Sequence, residues 1–139
     1  MDMVRQLSIF LENTVGMLKE FAEIMRIHGF KTKGVSIADT TDFGILRLIV
    51  DDPDKAVETF RANGFTASLA KVVAFRVKDN SDYGKIFGLF AENGISIEYM
   101  YTISGKDNII VLRVDDISKA DCILKDKEIS SLEESEIWG

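Results

Sequence analysis

Residues 50–56 read VDDPDKA and residues 114–120 read VDDISKA, so one short sequence occurs twice in the chain. The pair Gly29-Phe30 corresponds to Gly94-Ile95 at almost the same spacing. A repeat whose spacing drifts slightly is typical of two copies that diverged through small loop changes. We therefore predict two units, residues 1–69 and residues 70–139.

Each copy shows the same order of strand and helix patterns. In the first copy, residues 7–11 are apolar at every second position, which predicts a strand. The next helix is expected to begin at Asn13 or Thr14, which are good N-cap residues, and to end at Gly29. A second helix is expected after Asp52, where a proline occupies the first helical position.

The complete order in each copy is strand, helix, strand, strand, helix, strand. This βαββαβ order usually closes into a ferredoxin-like sandwich, because short and right-handed connections allow few other arrangements. We therefore predict an α+β fold of two ferredoxin-like units, with antiparallel sheets and the helices on one face.

The charge balance limits the partners. The chain of 139 residues carries 17 basic and 23 acidic residues, a formal charge of −6. Nucleic-acid binding needs clustered Lys and Arg to neutralise phosphates. The cations here are scattered and outnumbered, so we expect no nucleic-acid partner and no membrane partner. The acidic end, residues 133–136, is expected to be a solvated tail.

The chain offers little material for catalysis. It has one His and one Cys, which leaves few nucleophile–base pairs and no transition-metal spacing. We therefore predict that it is not an enzyme and needs no cofactor or metal. A single Cys cannot form an internal disulfide, and the first residues do not resemble a secretion signal. These features predict a cytoplasmic protein.

The alternation of the third predicted strand in each copy leads to a prediction about assembly. One face of these strands is expected to lie beneath the helices. The opposite face carries Ile45, Arg47, Ile49, Ile109, Val111 and Arg113, most of which are aliphatic. An apolar face turned to water favours a partner, so we predict a homodimer that packs through it.

In this fold, the loop after the first strand of each copy presents backbone N–H groups at a helix start, and such groups suit an anion. The two loops read ENTVGML at residues 12–18 and KDNSDY at residues 78–83. Neither contains the paired Cys of a soft-metal carrier or the Arg of an acylphosphatase. The remaining known use of this loop is the binding of a free amino acid.

The first loop and the segments after it resemble the ACT-domain pattern Asn-x-Pro-Gly-x-Leu followed by Gly-Ile-Asn. Residues 13–18 read NTVGML, and Gly29-Phe30 stands at the place of the second motif. The likeness continues through residues 36–44 and 51–56, while residues 94–101, GISIEYMY, match the second copy. Over nearly its whole length the chain resembles the small stand-alone proteins made of two ACT domains.

The resemblance implies two ACT units side by side, an eight-stranded sheet, and an amino acid or similar small ligand bound at the interface between the units. Backbone amides at the first helix start would hold the ligand carboxylate, while Asn13 with Asp39 or Glu98 would hold its ammonium. The candidate ligand-binding residues are Asn13, Thr14, Val15, Gly16, Met17, Leu18, Lys31, Asp39, Asn80, Ser81, Asp82, Tyr83, Ser96 and Glu98.

The second loop departs from the family pattern more than the first. Val15 replaces the family proline in the first loop, whereas residues 80–82 replace the whole Pro-Gly pair in the second. Asp82 places a negative charge at a helix start, which would repel a ligand carboxylate. One alternative therefore stays open: an interaction module with a decayed ligand site that docks onto a target protein. A structural reading also stays open, in which Asn13 and Thr14 only cap a helix.

Overall fold

The computed structural model describes residues 3–12, 14–39, 43–103, 105 and 107–138, and of Asp39 it describes the backbone alone. The elements in chain order are β1 (Val4–Glu12), α1 (Met17–His28), β2 (Thr32–Asp39), β3 (Phe43–Val50), α2 (Pro53–Ala62), β4 (Thr66–Arg76), α3 (Asn80–Glu92), β5 (Ile97–Ile103), β6 (Ile109–Val114), α4 (Ile117–Asp126) and α5 (Glu134–Trp138). The chain divides into an N-terminal unit, Arg5–Ala70, and a C-terminal unit, Lys71–Gly139 together with Met1–Val4. The boundary falls inside β4.

In the N-terminal unit the strands lie in the order β2-β3-β1, and both pairs are antiparallel. The strand β3 therefore lies between the two strands that α1 connects, which is the split βαβ arrangement of ferredoxin-like folds. Leu7 of β1 lies opposite Leu48 of β3, and both are fully buried in the core beneath the helices. Phe60 of α2 completes this core, with its ring 5.5 Å from the rings of Phe21 and Phe65.

The C-terminal unit repeats this arrangement with the strand order β4-β6-β5, again antiparallel. Helix α3 connects β4 to β5, and β6 lies between them. Phe75 of β4 and Phe90 of α3 pack with ring centroids 6.4 Å apart, in a core that includes Leu112 of β6 and Leu124 of α4. The ferredoxin-like fold class predicted from the sequence is confirmed.

Two helix boundaries that the sequence predicts are also confirmed. Gly29 ends α1 in the left-handed conformation, with φ 68°, and its N–H donates to Arg26 O at 3.2 Å. Asp52 caps α2, because its side chain accepts a hydrogen bond from the N–H of Lys55 at 3.2 Å. Pro53 is the first residue of that helix, as expected.

The last strand that the repeat predicts for the C-terminal unit is missing. All residues from the end of α4 to Trp138 are described, and they form α5 and no strand. The segment nevertheless reaches the edge of β4, since the N–H of Leu132 donates to Ala74 O at 2.7 Å. Residues 133, 135 and 136 are exposed, as expected for the acidic end, but the flanking Leu132 and Ile137 are buried, so the segment is not a free tail. The apolar residues of the tail pack inward, and this holds the tail in place.

The sheet face expected to meet a partner is partly buried within the single chain. Ile49, Ile109 and Val111 are all buried. In the C-terminal unit Arg76, directly opposite Ile109 in the sheet, has its Nη1 atom 3.9 Å from Glu136 Oε2 of α5. The apolar area on which the homodimer prediction was based is therefore smaller than strand alternation indicates.

Candidate functional site

Helix α1 begins without a side-chain cap. Its N-cap is Gly16, with φ 94° and ψ −5°, a left-handed conformation that costs other residues about 1–2 kcal/mol and that glycine adopts freely. The helix start predicted at Asn13 or Thr14 is therefore wrong. Asn13 lies outside the described residues, and Thr14 forms a turn in which its C=O accepts a hydrogen bond from the N–H of Met17 at 3.4 Å.

The first turn of α1 leaves backbone N–H groups open. The first bond of the regular helical ladder runs from Glu20 N–H to Gly16 O, at 3.0 Å. The N–H groups of Leu18 and Lys19 have no acceptor within the part of the chain that the structure describes. Such groups attract anions, because they lie at the positive end of the helix dipole.

These N–H groups lie at a cavity of about 560 Å³ formed entirely by the N-terminal unit. Its walls are the end of β1, the following loop, the first turn of α1, and parts of β2 and β3. The lining residues are Leu11, Glu12, Thr14, Val15, Gly16, Met17, Leu18, Lys19, Ile37 and Gly44. A volume in the range of about 300–1,000 Å³ is usual for small-molecule sites.

The cavity offers both charges that a free amino acid requires. The open N–H groups of Leu18 and Lys19, together with the Lys19 ammonium, suit a carboxylate. Among the described lining residues Glu12 is the one acidic residue, and its carboxylate suits an ammonium group. The arrangement therefore favours a small zwitterion over an inorganic anion.

The corresponding helix start in the C-terminal unit is filled by its own carboxylates. Asp79 is the N-cap of α3, and its side chain accepts hydrogen bonds from the N–H of Ser81 at 2.8 Å and from the Ser81 hydroxyl. Asp82 reaches back and accepts from the N–H of Lys78 at 2.7 Å and of Asp79 at 3.3 Å. The hydrogen bonds from the hydroxyl and then the N–H of Ser81 hold the pKa of the Asp79 carboxyl below its ordinary value.

Two positions distinguish the two helix starts: the N-cap, which is Gly16 in α1 and Asp79 in α3, and the third helical residue. Asp82 is the third residue of α3, and the third residue of α1 is Lys19. An acidic residue at this position can accept the free N–H groups before the helix, whereas a lysine cannot. Helix α1 has no carboxylate of its own at either of these positions.

The structure brings the sequence-predicted residues of the first loop together. Thr14, Val15, Gly16, Met17 and Leu18 all line the cavity. Of the other candidates in the N-terminal unit, Asn13 and the side chain of Asp39 lie outside the described part of the chain.

Lys31 does not line this cavity, and it has the same backbone role as Ser96. The N–H of Lys31 donates to Asp51 Oδ1 at 3.1 Å, and its C=O accepts from Asp51 N–H at 3.1 Å. Ser96 makes the same two bonds with Asp115, at 3.0 and 3.1 Å. These pairs hold the chain just before β2 and β5, and a ligand role for Lys31 and Ser96 stays a prediction.

The remaining candidates lie in the C-terminal unit. Asn80, Ser81, Asp82 and Tyr83 form the first turn of α3, and the Tyr83 ring packs 5.7 Å from that of Phe87. Glu98 of β5 lies with its Oε1 atom 3.6 Å from Arg113 Nε. Asp82 alone among these lines a cavity of about 300 Å³ between α3 and the segment before α5.

Several lining residues had no role in the sequence prediction, namely Leu11, Glu12, Lys19, Ile37 and Gly44. Ile37 lies in β2 opposite Leu46, and Gly44 lies opposite Asp39, so both reach the cavity through strand pairing. Apolar residues at alternate positions of β2 are a signal that could have identified Ile37. Glu12 and Lys19 flank the loop directly and could have been included from their positions.

Metal ions need clusters of ligand side chains. Among the described residues there is no group of three or more His, Cys, Asp or Glu placed to hold a metal ion. Cys122 is exposed on α4, and His28 lies in the last turn of α1. No helix in the described ranges is both long and apolar enough to cross a membrane.

The duplicated split βαβ units and the open helix start agree with the comparison to known families. The family described as an ACT domain pair matches residues 2–138. The chain belongs to this family. The resemblance found in the sequence is thereby confirmed, and ACT domains typically bind amino acids in regulation.

Solved structures support the same fold for this ACT pair. Protein BT0572 from Bacteroides thetaiotaomicron is 34% identical, with a TM-score of 0.88 over 98% of this chain and 96% of that chain. The regulatory subunit of aspartate kinase from Thermus thermophilus, in a ligand-free form, has a TM-score of 0.62 at 16% identity, with 89% and 91% of the chains covered. The corresponding subunit from Thermus flavus has a TM-score of 0.61 at 15% identity, with 89% and 90% covered.

The two aspartate kinase subunits share the fold alone at these identities. A comparison with functionally curated proteins gave no significant match.

Proposed function

We propose that this ACT pair is a non-enzymatic regulatory protein that binds a free amino acid at the start of α1. The observation that carries the proposal is the uncapped first turn of α1, which opens on the 560 Å³ cavity. In the proposed complex the ligand carboxylate accepts from the N–H groups of Leu18 and Lys19. The ligand ammonium lies near Glu12 and Asn13.

The family resemblance supports a second set of contacts, from the other ACT unit. In the proposal, Ser96 just before β5 and Glu98 of β5 complete the site at the interface between the units. This part of the proposal is supported by the resemblance alone. Because the α3 start already holds Asp79 and Asp82, we propose one carboxylate site per chain rather than two.

Titration calorimetry with each of the twenty amino acids tests the proposal. At least one of them should give a saturable heat. Asn13→Ala should weaken that binding by about 1–3 kcal/mol, the usual cost of leaving a charged partner unpaired. Asn63→Ala is a matched control, because Asn63 caps the end of α2 and does not line the cavity. The absence of a saturable heat with every amino acid would contradict the proposal.

The filled start of α3 supports a second candidate function, at least for the C-terminal unit. In this alternative the ACT pair docks onto a target protein and its ligand site has decayed. Recovery of the same partner in a pull-down with and without added amino acids would favour this alternative. Binding of the partner only with a particular amino acid would favour the sensor.

Assembly and location remain part of the proposal. The cytoplasmic location is supported by the sequence features alone. A homodimer is supported by the sheet face that carries Ile45, where Phe10, directly opposite Ile45, is 42% exposed. Analytical ultracentrifugation at micromolar concentration tests the dimer, and a clean monomer would contradict it.

A further inference from the structure

We infer that the cavity at the start of α1 selects amino acids with aliphatic side chains, an inference that rests on the proposed function. Half of the residues that line the cavity are apolar: Leu11, Val15, Met17, Leu18 and Ile37. Apart from glycine, the rest of the lining is Glu12, Thr14 and Lys19. The two charged residues are matched by the charged groups that every amino acid carries.

The apolar lining is unusually open to water. Val15 is fully exposed, Leu18 is 52% exposed and Ile37 is 50% exposed. Ile37 lies opposite the buried Leu46 on the helix side of the sheet, yet it stays half exposed because it is on the edge strand. An apolar group placed in the cavity would cover these three side chains, and that burial is favourable.

The apolar lining comes from three elements around the helix start. The open N–H groups of Leu18 and Lys19 belong to the helix start, while Leu11 of β1 and Ile37 of β2 add apolar side chains from the strands. A carboxylate held at the helix start therefore leaves the ligand side chain among apolar neighbours. Among the described lining residues, Thr14 is the one uncharged polar side chain, so these residues offer a polar ligand side chain few new partners for the water it loses.

A homologous ligand series measures this preference. Alanine, 2-aminobutyrate, norvaline and norleucine differ by one methylene at a time, and each is titrated into the whole protein by calorimetry. Each buried methylene contributes about 0.8 kcal/mol, so affinity should rise about fourfold per step until the cavity is filled. Serine and asparagine should bind more weakly than 2-aminobutyrate and norvaline respectively.

Substitutions of lining residues test whether the gain in affinity per methylene arises in this cavity. Leu18→Ser and Ile37→Ser should each reduce the gain per methylene, measured as a ratio within each variant, to less than twofold. Ile27→Ser is the matched control, because Ile27 lies on the same helix, is 65% exposed and does not line the cavity. Circular dichroism melts of all three variants show whether they remain folded, and either serine variant of the lining is sufficient for the comparison.

The possible results distinguish a failure of the aliphatic preference from a failure of amino-acid binding. If amino acids bind but affinity stays flat or falls along the series, the aliphatic preference is overturned and the proposed function stands. If no amino acid binds, the proposed function fails and the inference fails with it. If Leu18→Ser dissociates a dimer and leaves the slope unchanged, a second copy of the chain covers the apolar patch, and the inference is overturned.

Discussion

Replacing Lys19 with aspartate should give α1 one of the two carboxylates that fill the start of α3. Lys19 occupies the third position of α1, and Asp82 occupies the third position of α3. In α3 the Asp82 carboxylate accepts the N–H groups of Lys78 and Asp79, at 2.7 and 3.3 Å. The same side chain at position 19 would reach the corresponding N–H groups of Val15 and Gly16, and it would place a negative charge beside the N–H groups that we assign to the ligand carboxylate.

The size of the effect follows from the charge change. Lys19→Asp changes the charge beside the ligand carboxylate by two units, and each unit at about 4 Å contributes about 1 kcal/mol even in fully hydrated surroundings. Affinity should therefore fall by about 2 kcal/mol, roughly 30-fold. The variant should also be more stable. Removing a cation from a helix start and adding an anion there each stabilise the helix by about 0.3–1 kcal/mol. The melting temperature should rise by about 2–4 °C.

Two assays on the same protein samples test this pair of opposite effects. Calorimetry measures the affinity for the tightest-binding amino acid, and a thermal melt without ligand measures stability. Lys127→Asp is the control for net charge, since Lys127 lies at the end of α4 and does not line the cavity. The reasoning is refuted if Lys19→Asp binds within twofold of the unmodified chain, because the ligand carboxylate then lies elsewhere.

Four further changes test other parts of the account. Gly16→Ala should lower the free energy of unfolding by about 1–2 kcal/mol in urea titrations, because its φ of 94° strains any other residue although a Cβ there meets no atom. Phe60→Ala, at a fully buried ring, should cost about 3–5 kcal/mol in the same assay. Ile137→Ala should cost about 2–4 kcal/mol if α5 is packed, and almost nothing if the tail is solvated. Asp79→Asn tests the pH dependence of stability. Folding lowers the pKa of the Asp79 carboxyl. The charged carboxylate therefore stabilises the fold above about pH 4, and this stabilisation is lost as the pH falls through the lowered pKa. The unmodified chain should therefore lose stability on acidification more steeply than the variant, in melts between pH 6 and pH 2.

The repeat and the strand alternation were sufficient to predict the fold of both units. Leu7 and Leu48 lie in the core because each alternates with residues that point away from the helices, and this periodicity is local to each strand. The missing last strand could not be predicted in the same way. Leu132 and Ile137 are separated by acidic residues, and their burial depends on contacts with β4 that are distant in sequence.

The position of the candidate site was predictable, but its detailed geometry was not. The loop of residues 12–18 was identified because a helix start after the first strand presents free N–H groups. The cap was assigned wrongly because Asn13 and Thr14 are better N-cap residues than glycine in general. The left-handed turn at Gly16 moves the helix start past both of them. Ile37 was missed because strand pairing, and not sequence proximity, brings it to the loop.

The most direct test of the central claim is a titration of the isotopically labelled protein with norleucine, followed by the backbone amide signals in nuclear magnetic resonance. The account predicts saturable shifts that are largest at Gly16, Leu18 and Lys19, with little change at Ser81 and Asp82. No saturable shift at the start of α1, or larger shifts at the start of α3, would contradict the claim that the open helix start binds the amino acid.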